Sequence, residues 1–202
     1  MKHYEQNSGG VTGMVIANAV TMAHRLIISK LANARLVVDA TAGNGKDTLF
    51  LAENIPHDAA VWAFDIQQQA IIKSQELLKK HGLEHKVKFI LASHATIMSY
   101  ISQPIDVAMF NLGYLPGGNH SINTRPEVTV EAITQILYLL NIGGIVTIVA
   151  YPGYEQGRLE CQAVRKYLGS LNQKLFAVAC WAMVNQKNNP PVLYIIEKIR
   201  SE

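Results

Sequence analysis

Apolar residues recur along this chain in two rhythms, and the switch between them marks where the main fold begins. Ile16, Val20, Ala23, Ile27 and Leu31 return every three or four positions, which predicts an amphipathic helix over residues 14–31. From residue 36 short apolar runs alternate with helical patterns. LVVDATA (36–42) leads through a glycine turn into the helix-like KDTLFLAEN (46–54), and AVWAFDI is followed by a helix over 67–80. KVKFILA precedes a short helix near 94–101, and PIDVAMFNL precedes a helix over 127–141. In that fourth helix Ile133, Ile136, Leu137 and Leu140 form the inward stripe, and Gly143 with Gly144 is expected to end it. GIVTIVAY is a fifth strand, followed by a helix with Leu159, Ala163, Tyr167 and Leu171 on one face. The tail breaks the alternation. KLFAVACWAMVN (174–185) and PVLYIIEKI (191–199) are joined only by QKNNP, too short for a helical crossover, so they should pair antiparallel.

Near-continuous Val/Ile/Leu strands alternating with helices predict an α/β fold. Its seven-stranded, mostly parallel sheet has an antiparallel last strand and helices on both faces. In such sheets a ligand sits at the carboxyl ends of the strands, so the residues just after each strand carry the chemistry. A chain of 202 residues suits one domain, with 1–34 as a helical extension and 35–202 as the core.

Composition narrows the picture only a little. Apolar residues at 49% and charged residues at 16% exclude a disordered chain, and a net charge of +3 tolerates a nucleic-acid partner without demanding one. No apolar run approaches the ~18 to 20 residues of a membrane-spanning helix. The polar start MKHYEQNSGG is no secretory signal, so a cytoplasmic location is expected. Cys161 and Cys180 lack metal-ligand spacing and are read as buried thiols.

The strongest chemical signal is DATAGNGKDT at 39–48, a strand ending in an acid, a Gly43/Gly45 turn and a helix start. Its glycines let backbone approach a ligand closely. A dinucleotide fingerprint would want glycine or alanine where Thr48 stands, and a pyrophosphate would meet Asp39. A ligand with an ammonium group and a sulfonium centre, such as S-adenosylmethionine, fits better. Asp65 ends the second strand about 20 residues on, where an acid accepts hydrogen bonds from ribose hydroxyls. Gln67 follows it, and Ser93 and His94 end the third strand beside an adenine position. The fourth strand ends in FNLGYLPGGNHSINTRPE, residues 110–127. There Asn111 offers a carbonyl to an amine and Tyr114 offers a ring for stacking on a base. Gly113, Gly117 and Gly118 allow close access. His120 is a candidate proton acceptor and Arg125 a substrate contact. Thr124 to Glu127 reads as a helix start, with Pro126 in its first turn.

Taken together, DATAGNGKDT, the AFDIQ strand end, NLGYLPGG with its following His and TRPE, and the final strand pair resemble the class I S-adenosylmethionine-dependent methyltransferases. Within that class they are most similar to the small bacterial rRNA methylase family, which includes tRNA 5-aminomethyl-2-thiouridine methyltransferases. The resemblance covers nearly the whole chain. It implies a Rossmann-like sheet and S-adenosylmethionine as cofactor, with Asp39, Gly43, Asn44 and Gly45 at its methionine end and Asp47 also among the cofactor-binding residues. It places Asp65 and Gln67 on the ribose and Ser93 and His94 on the adenine side. Asn111, Tyr114 and His120 would be catalytic, and Arg125 would contact the substrate, a tRNA anticodon loop. No metal is required for such a transfer, and a homodimer stays open. The chain departs from the wider class in two places. Thr41 replaces the first turn glycine, and Asn111-Leu112-Gly113-Tyr114 stands where an amine methyltransferase would carry Asn-Pro-Pro-Tyr. The alternatives are a methyltransferase acting on rRNA or a small amine, and a non-catalytic module binding an NAD-like ligand.

Overall fold

The computed structural model describes residues 16–113 and 125–201. Helix α1 spans Ala19–Leu31, and strand β1 (Leu36–Asp39) leads to α2 (Lys46–Asn54). Next come β2 (Ala60–Asp65), α3 (Gln68–Lys80), β3 (Val87–Leu91) and a short 3-10 helix, His94–Ser99. Then β4 (Ile105–Leu112), α4 (Pro126–Leu139), β5 (Leu140–Ala150) and α5 (Glu155–Gly169) precede the final β6 (Phe176–Trp181) and β7 (Val192–Lys198).

These strands form one sheet of order β3-β2-β1-β4-β5-β7-β6. β1 to β5 are mutually parallel, and β7 runs antiparallel to both β5 and β6. The expected class of fold and the antiparallel final pair are therefore both present. The order reverses between β1 and β4, so their carboxyl ends splay apart and leave a crevice, the expected ligand position.

Strict alternation along the strands divides the core into two. Val37, Val61, Val107, Met109 and Val149 face α1, α2 and α3, whereas Val38, Phe64, Ala108, Phe110 and Ile148 face the 3-10 helix, α4 and α5. This decides the site, because Asn111 comes one residue after Phe110 and so turns toward the α1/α2 face.

Four expectations need correction. α1 begins at Ala19 because the Asn18 side chain accepts from the Thr21 N–H at 2.8 Å, a cap that overrides the apolar period, and Ile16 is exposed. α4 stops at Leu139 without help from the glycines. The β4–β5 pairing jumps from Ile105–Leu140 to Val107–Ile145, and Gly143, with φ +74°, makes the bulge that absorbs the extra residues. On α5 the buried stripe is Gly157, Glu160, Val164 and Leu168, one register away from the apolar one, and Leu159 is exposed. The cause is a buried acid: Glu160 accepts from the Thr129 hydroxyl of α4 at 2.6 Å, and burial pushes its pKa up. Finally, neither cysteine is buried. Cys180 is exposed because β6 is the edge strand, and Cys161 is half-buried beside the Tyr194 hydroxyl at 3.5 Å.

Candidate functional site

A cavity of about 970 Å³ opens at the carboxyl ends of the strands. Of the residues singled out in the sequence, Gly43, Asn44, Asp47, Asp65, Gln67, Ser93, His94, Asn111 and Arg125 line it. Tyr114 and His120 lie outside the described residues, as do Gly117, Gly118 and Thr124.

One wall is made by the β1–α2 turn. Gly43 and Gly45 both adopt positive φ, +52° and +79°, and a Cβ on Gly45 would sit 2.8 Å from the Ser74 Cα of α3. Only glycine allows that approach. The Ser74 hydroxyl then donates to the Gly43 carbonyl at 3.1 Å, tying α3 to the turn. Gly45 caps α2 in this way and does not face the cavity. Asp65 accepts from the Gly43 N–H with Oδ2 and from the Gln67 N–H with Oδ1, both at 2.9 Å. Each oxygen keeps lone-pair capacity, so the carboxylate stands fixed at the rim as an acceptor for hydroxyls.

Asp39 sits elsewhere than the sequence suggested. It is 1% exposed, below the floor of the cavity, where its oxygens accept from the Thr41 N–H at 3.0 Å and the Thr48 hydroxyl at 2.6 Å. Burial first, and then the charge of Asp47, raises its pKa to about 7, against the lowering effect of those two hydrogen bonds. Asp39 therefore braces the turn from beneath.

His94 starts the 3-10 helix, where Ser93 is the N-cap and accepts from the Ala95 N–H. Its Nδ1–H donates to the Ala40 carbonyl at 3.1 Å and its ring meets Phe110 edge to face. Burial lowers its pKa, so the ring stays neutral and Nε2 presents a lone pair. That Nε2 is buried without a hydrogen-bond partner, as is Asn44 Oδ1. Two orphaned acceptors on cavity-lining residues mark a place where a ligand's donors belong.

The opposite wall is a chain of side-chain hydrogen bonds that the sequence did not reveal. His24 of α1, stacked on Phe50 with ring centroids 3.8 Å apart, donates from Nε2 to Asp47 Oδ1 at 2.8 Å. Asp47 Oδ2 accepts from Asn111 Nδ2 at 3.0 Å, and Asn111 Oδ1 accepts from the Tyr151 hydroxyl at 2.8 Å. The Asn111 backbone N–H donates to Thr41 Oγ1 at 2.8 Å. Asp47, only 7% exposed, thus positions Asn111. Thr41, Lys46, Tyr151, Gly153, Tyr154 and Asn189 also line the cavity and went unpredicted. For Thr41 a signal existed: a hydroxyl residue replaced a turn glycine. For Tyr151 and Gly153 the signal was their place directly after β5. Among the described residues no group of three His, Cys, Asp or Glu side chains is placed to hold a metal ion, and no helix is long and apolar enough to cross a membrane.

A fixed carboxylate at the second strand end, with one orphaned acceptor in the turn after the first strand and another beyond the third, suits an adenosine-bearing ligand, and the fourth strand ends in an oriented amide. Comparison with known proteins agrees. A family model described as "Putative rRNA methylase" matches residues 61–197. A chloroplastic tRNA (mnm(5)s(2)U34)-methyltransferase of Arabidopsis thaliana is 32% identical over 190 residues, which is 89% of this chain and 69% of that one. Among solved structures, a "putative rRNA-methylase" from Clostridium thermocellum is 41% identical with a TM-score of 0.90, covering 92% of this chain and 100% of that one. A "putative methyltransferase" from Streptococcus mutans, solved in complex with SAH, is 39% identical with a TM-score of 0.83, covering 91% of this chain and 99% of that one.

Proposed function

The chain belongs to the rRNA methylase family, and from that membership we propose that it is an S-adenosylmethionine-dependent RNA methyltransferase whose target is an aminomethyl nitrogen, that of 5-aminomethyl-2-thiouridine at the tRNA wobble position. The whole chain acts as one methyltransferase domain in this reading. The observation that carries it is the Asn111 amide, held by Asp47 so that its carbonyl oxygen is an acceptor at the end of β4. A relative whose name specifies that tRNA position supports the choice of substrate.

The residues present fit the cofactor. Asp65 would hold its ribose hydroxyls, Gly43 and Asn44 would line its path, and the unpartnered His94 Nε2 and Asn44 Oδ1 would take up its donors. When bound, S-adenosylmethionine supplies an electrophilic methyl on sulfur. The protein's own work is alignment: the reaction is an in-line displacement, so an amine held with its lone pair on the methyl axis gains most of what catalysis can give. Asn111 Oδ1 accepts an N–H of the amine and fixes the direction of that lone pair. A wobble base is already unpaired and can enter the cavity without opening a duplex. Arg125 is exposed at the start of α4 and lines the cavity, which supports its reading as a contact to the RNA backbone.

Mass spectrometry of tRNA nucleosides from cells lacking the protein tests the substrate. Loss of the methylaminomethyl nucleoside with accumulation of its aminomethyl precursor is the expected result. An unchanged tRNA profile alongside a lost rRNA methylation would move the target to rRNA. Calorimetry tests the cofactor, with S-adenosylhomocysteine expected to bind and NAD not.

A further inference from the structure

We propose that Tyr151 is the second acceptor for the substrate nitrogen, and that the Asn111–Tyr151 pair makes the site select a primary amine and stop after one methyl. This rests on the amine methyl transfer proposed above and assigns it a specificity-determining residue.

The argument begins with the amide of Asn111. Asp47 can only accept, so Asn111 must turn Nδ2 toward it and Oδ1 away, toward Tyr151. The reverse orientation would set a carbonyl oxygen against a buried carboxylate. Asn111 Oδ1 then spends one lone pair on the Tyr151 hydroxyl and keeps the other. Tyr151 has donated its only proton, so its oxygen can now only accept. Burial pushes its pKa up, so it keeps that proton. The ring is held by packing against the core on the α1/α2 face and by its hydrogen bond to Asn111. Both residues line the cavity, so a ligand there meets two acceptor oxygens 2.8 Å apart whose shared proton is already spent between them.

A neutral primary amine has the complementary set, two N–H donors and one lone pair. One nitrogen can reach both oxygens with each hydrogen bond bent somewhat below the ~150° preference but well above the ~120° limit. With both N–H bonds directed at the protein, the lone pair is the face left over for attack. That lone pair forms the new N–C bond, the methyl–sulfur bond breaks with its electron pair leaving on sulfur, and the secondary ammonium product releases one proton to water. The neutral product has a single N–H. A second transfer would have to turn its methyl toward one of the two oxygens and leave that acceptor unpaired, which slows it by on the order of tenfold or more.

The test is single-turnover methylation of two anticodon stem-loop RNAs, one carrying 5-aminomethyl-2-thiouridine and one the methylaminomethyl form, by wild type and Tyr151→Phe, with S-adenosylhomocysteine affinity measured in parallel. Wild type should methylate the first RNA and leave the second almost untouched. Tyr151→Phe should bind S-adenosylhomocysteine as wild type does, methylate the first RNA more slowly, and narrow the ratio between the two by about tenfold. An unchanged ratio in Tyr151→Phe, a wild type that readily dimethylates, or a loss of S-adenosylhomocysteine affinity in the variant overturns the assignment of Tyr151 alone. A wild type that binds S-adenosylhomocysteine but methylates neither RNA overturns the wobble-amine reading itself.

Discussion

Between the ends of β1 and β2 the cavity wall is held by backbone: the Gly43 and Gln67 N–H groups clamp Asp65, and the Gly43 carbonyl is tied to Ser74. Between the ends of β4 and β5 it is held by side chains, His24, Asp47, Asn111 and Tyr151, drawn from four separate stretches of sequence. The proposed cofactor side is thus a local structure, complete once a turn and a strand end have formed. The proposed substrate side exists only when α1, α2, β4 and the segment after β5 have all docked. A local clamp should fail one contact at a time, whereas a relay of oriented groups should pass damage along itself.

Asn111→Ala gives the largest expected effect. It removes the central member of the relay and leaves the Asp65 clamp intact, so methyl transfer should fall about a hundredfold, the scale of a misaligned reactant. S-adenosylhomocysteine affinity should be unchanged. Single-turnover kinetics beside calorimetry would check this, and near-wild-type transfer would reduce Asn111 to a strand-end cap. Asp65→Ala is the converse on the other wall. Hydrogen bonds to a charged group contribute about 1.5 to 3 kcal/mol, so cofactor affinity should drop roughly ten- to a hundredfold. Transfer at saturating cofactor should then be nearly preserved. If either variant damages both quantities equally, the two walls are not separable.

His24 probes how far the relay reaches. His24→Phe keeps a ring against Phe50 but leaves Asp47 Oδ1 without its donor. Loss of one such bond, about 0.5 to 1.5 kcal/mol net, should slow transfer roughly two- to tenfold with cofactor affinity unaffected. A wild-type rate would end the relay at Asp47.

The same contrast governs what the sequence could tell. The cavity-lining residues of the proposed cofactor side were legible because their spacing is local: a glycine turn after a strand, an acid at the next strand end. The mostly parallel seven-stranded sheet followed from alternation, and its antiparallel last pair from the short QKNNP link. Asn111 and Tyr151 each carried a signal in their place at a strand end, but the bonds that tie Tyr151 to Asn111 and His24 to Asp47 carried none. Their partners lie 40 residues apart for the Tyr151–Asn111 bond and 23 for the His24–Asp47 bond, and nothing in a linear pattern joins them. The α5 register slipped for a related reason, since Glu160 is buried by a tertiary bond to Thr129 that hydropathy cannot anticipate. Asp39 was assigned to the ligand because its position in the motif is right. What could not be read is that Thr41 and Thr48 would fill its oxygens first.

Asp39 also supplies the smallest expected effect, at the seam between the walls. Burial raises its pKa most, Asp47 on the relay side raises it next, and Asp65 on the clamp side adds to this after the opposing bonds from Thr48 and Thr41. With a folded pKa of about 7 against 3.8 for the free group, the folded chain keeps a proton that the unfolded chain has released throughout that window. The folded state binds more protons there, so Asp39's contribution to stability falls as pH rises from the unfolded value and is fully lost above about 7. Asp39→Asn has no proton to lose, and its amide can donate to Thr48 while its carbonyl accepts from Thr41. Thermal unfolding at about pH 5 and about pH 8 should therefore show a larger loss of midpoint in wild type than in Asp39→Asn. Parallel losses in the two proteins would mean that Asp39 is already ionised in the folded chain. The seam would then carry a buried negative charge, which only a cationic group close to the turn could balance.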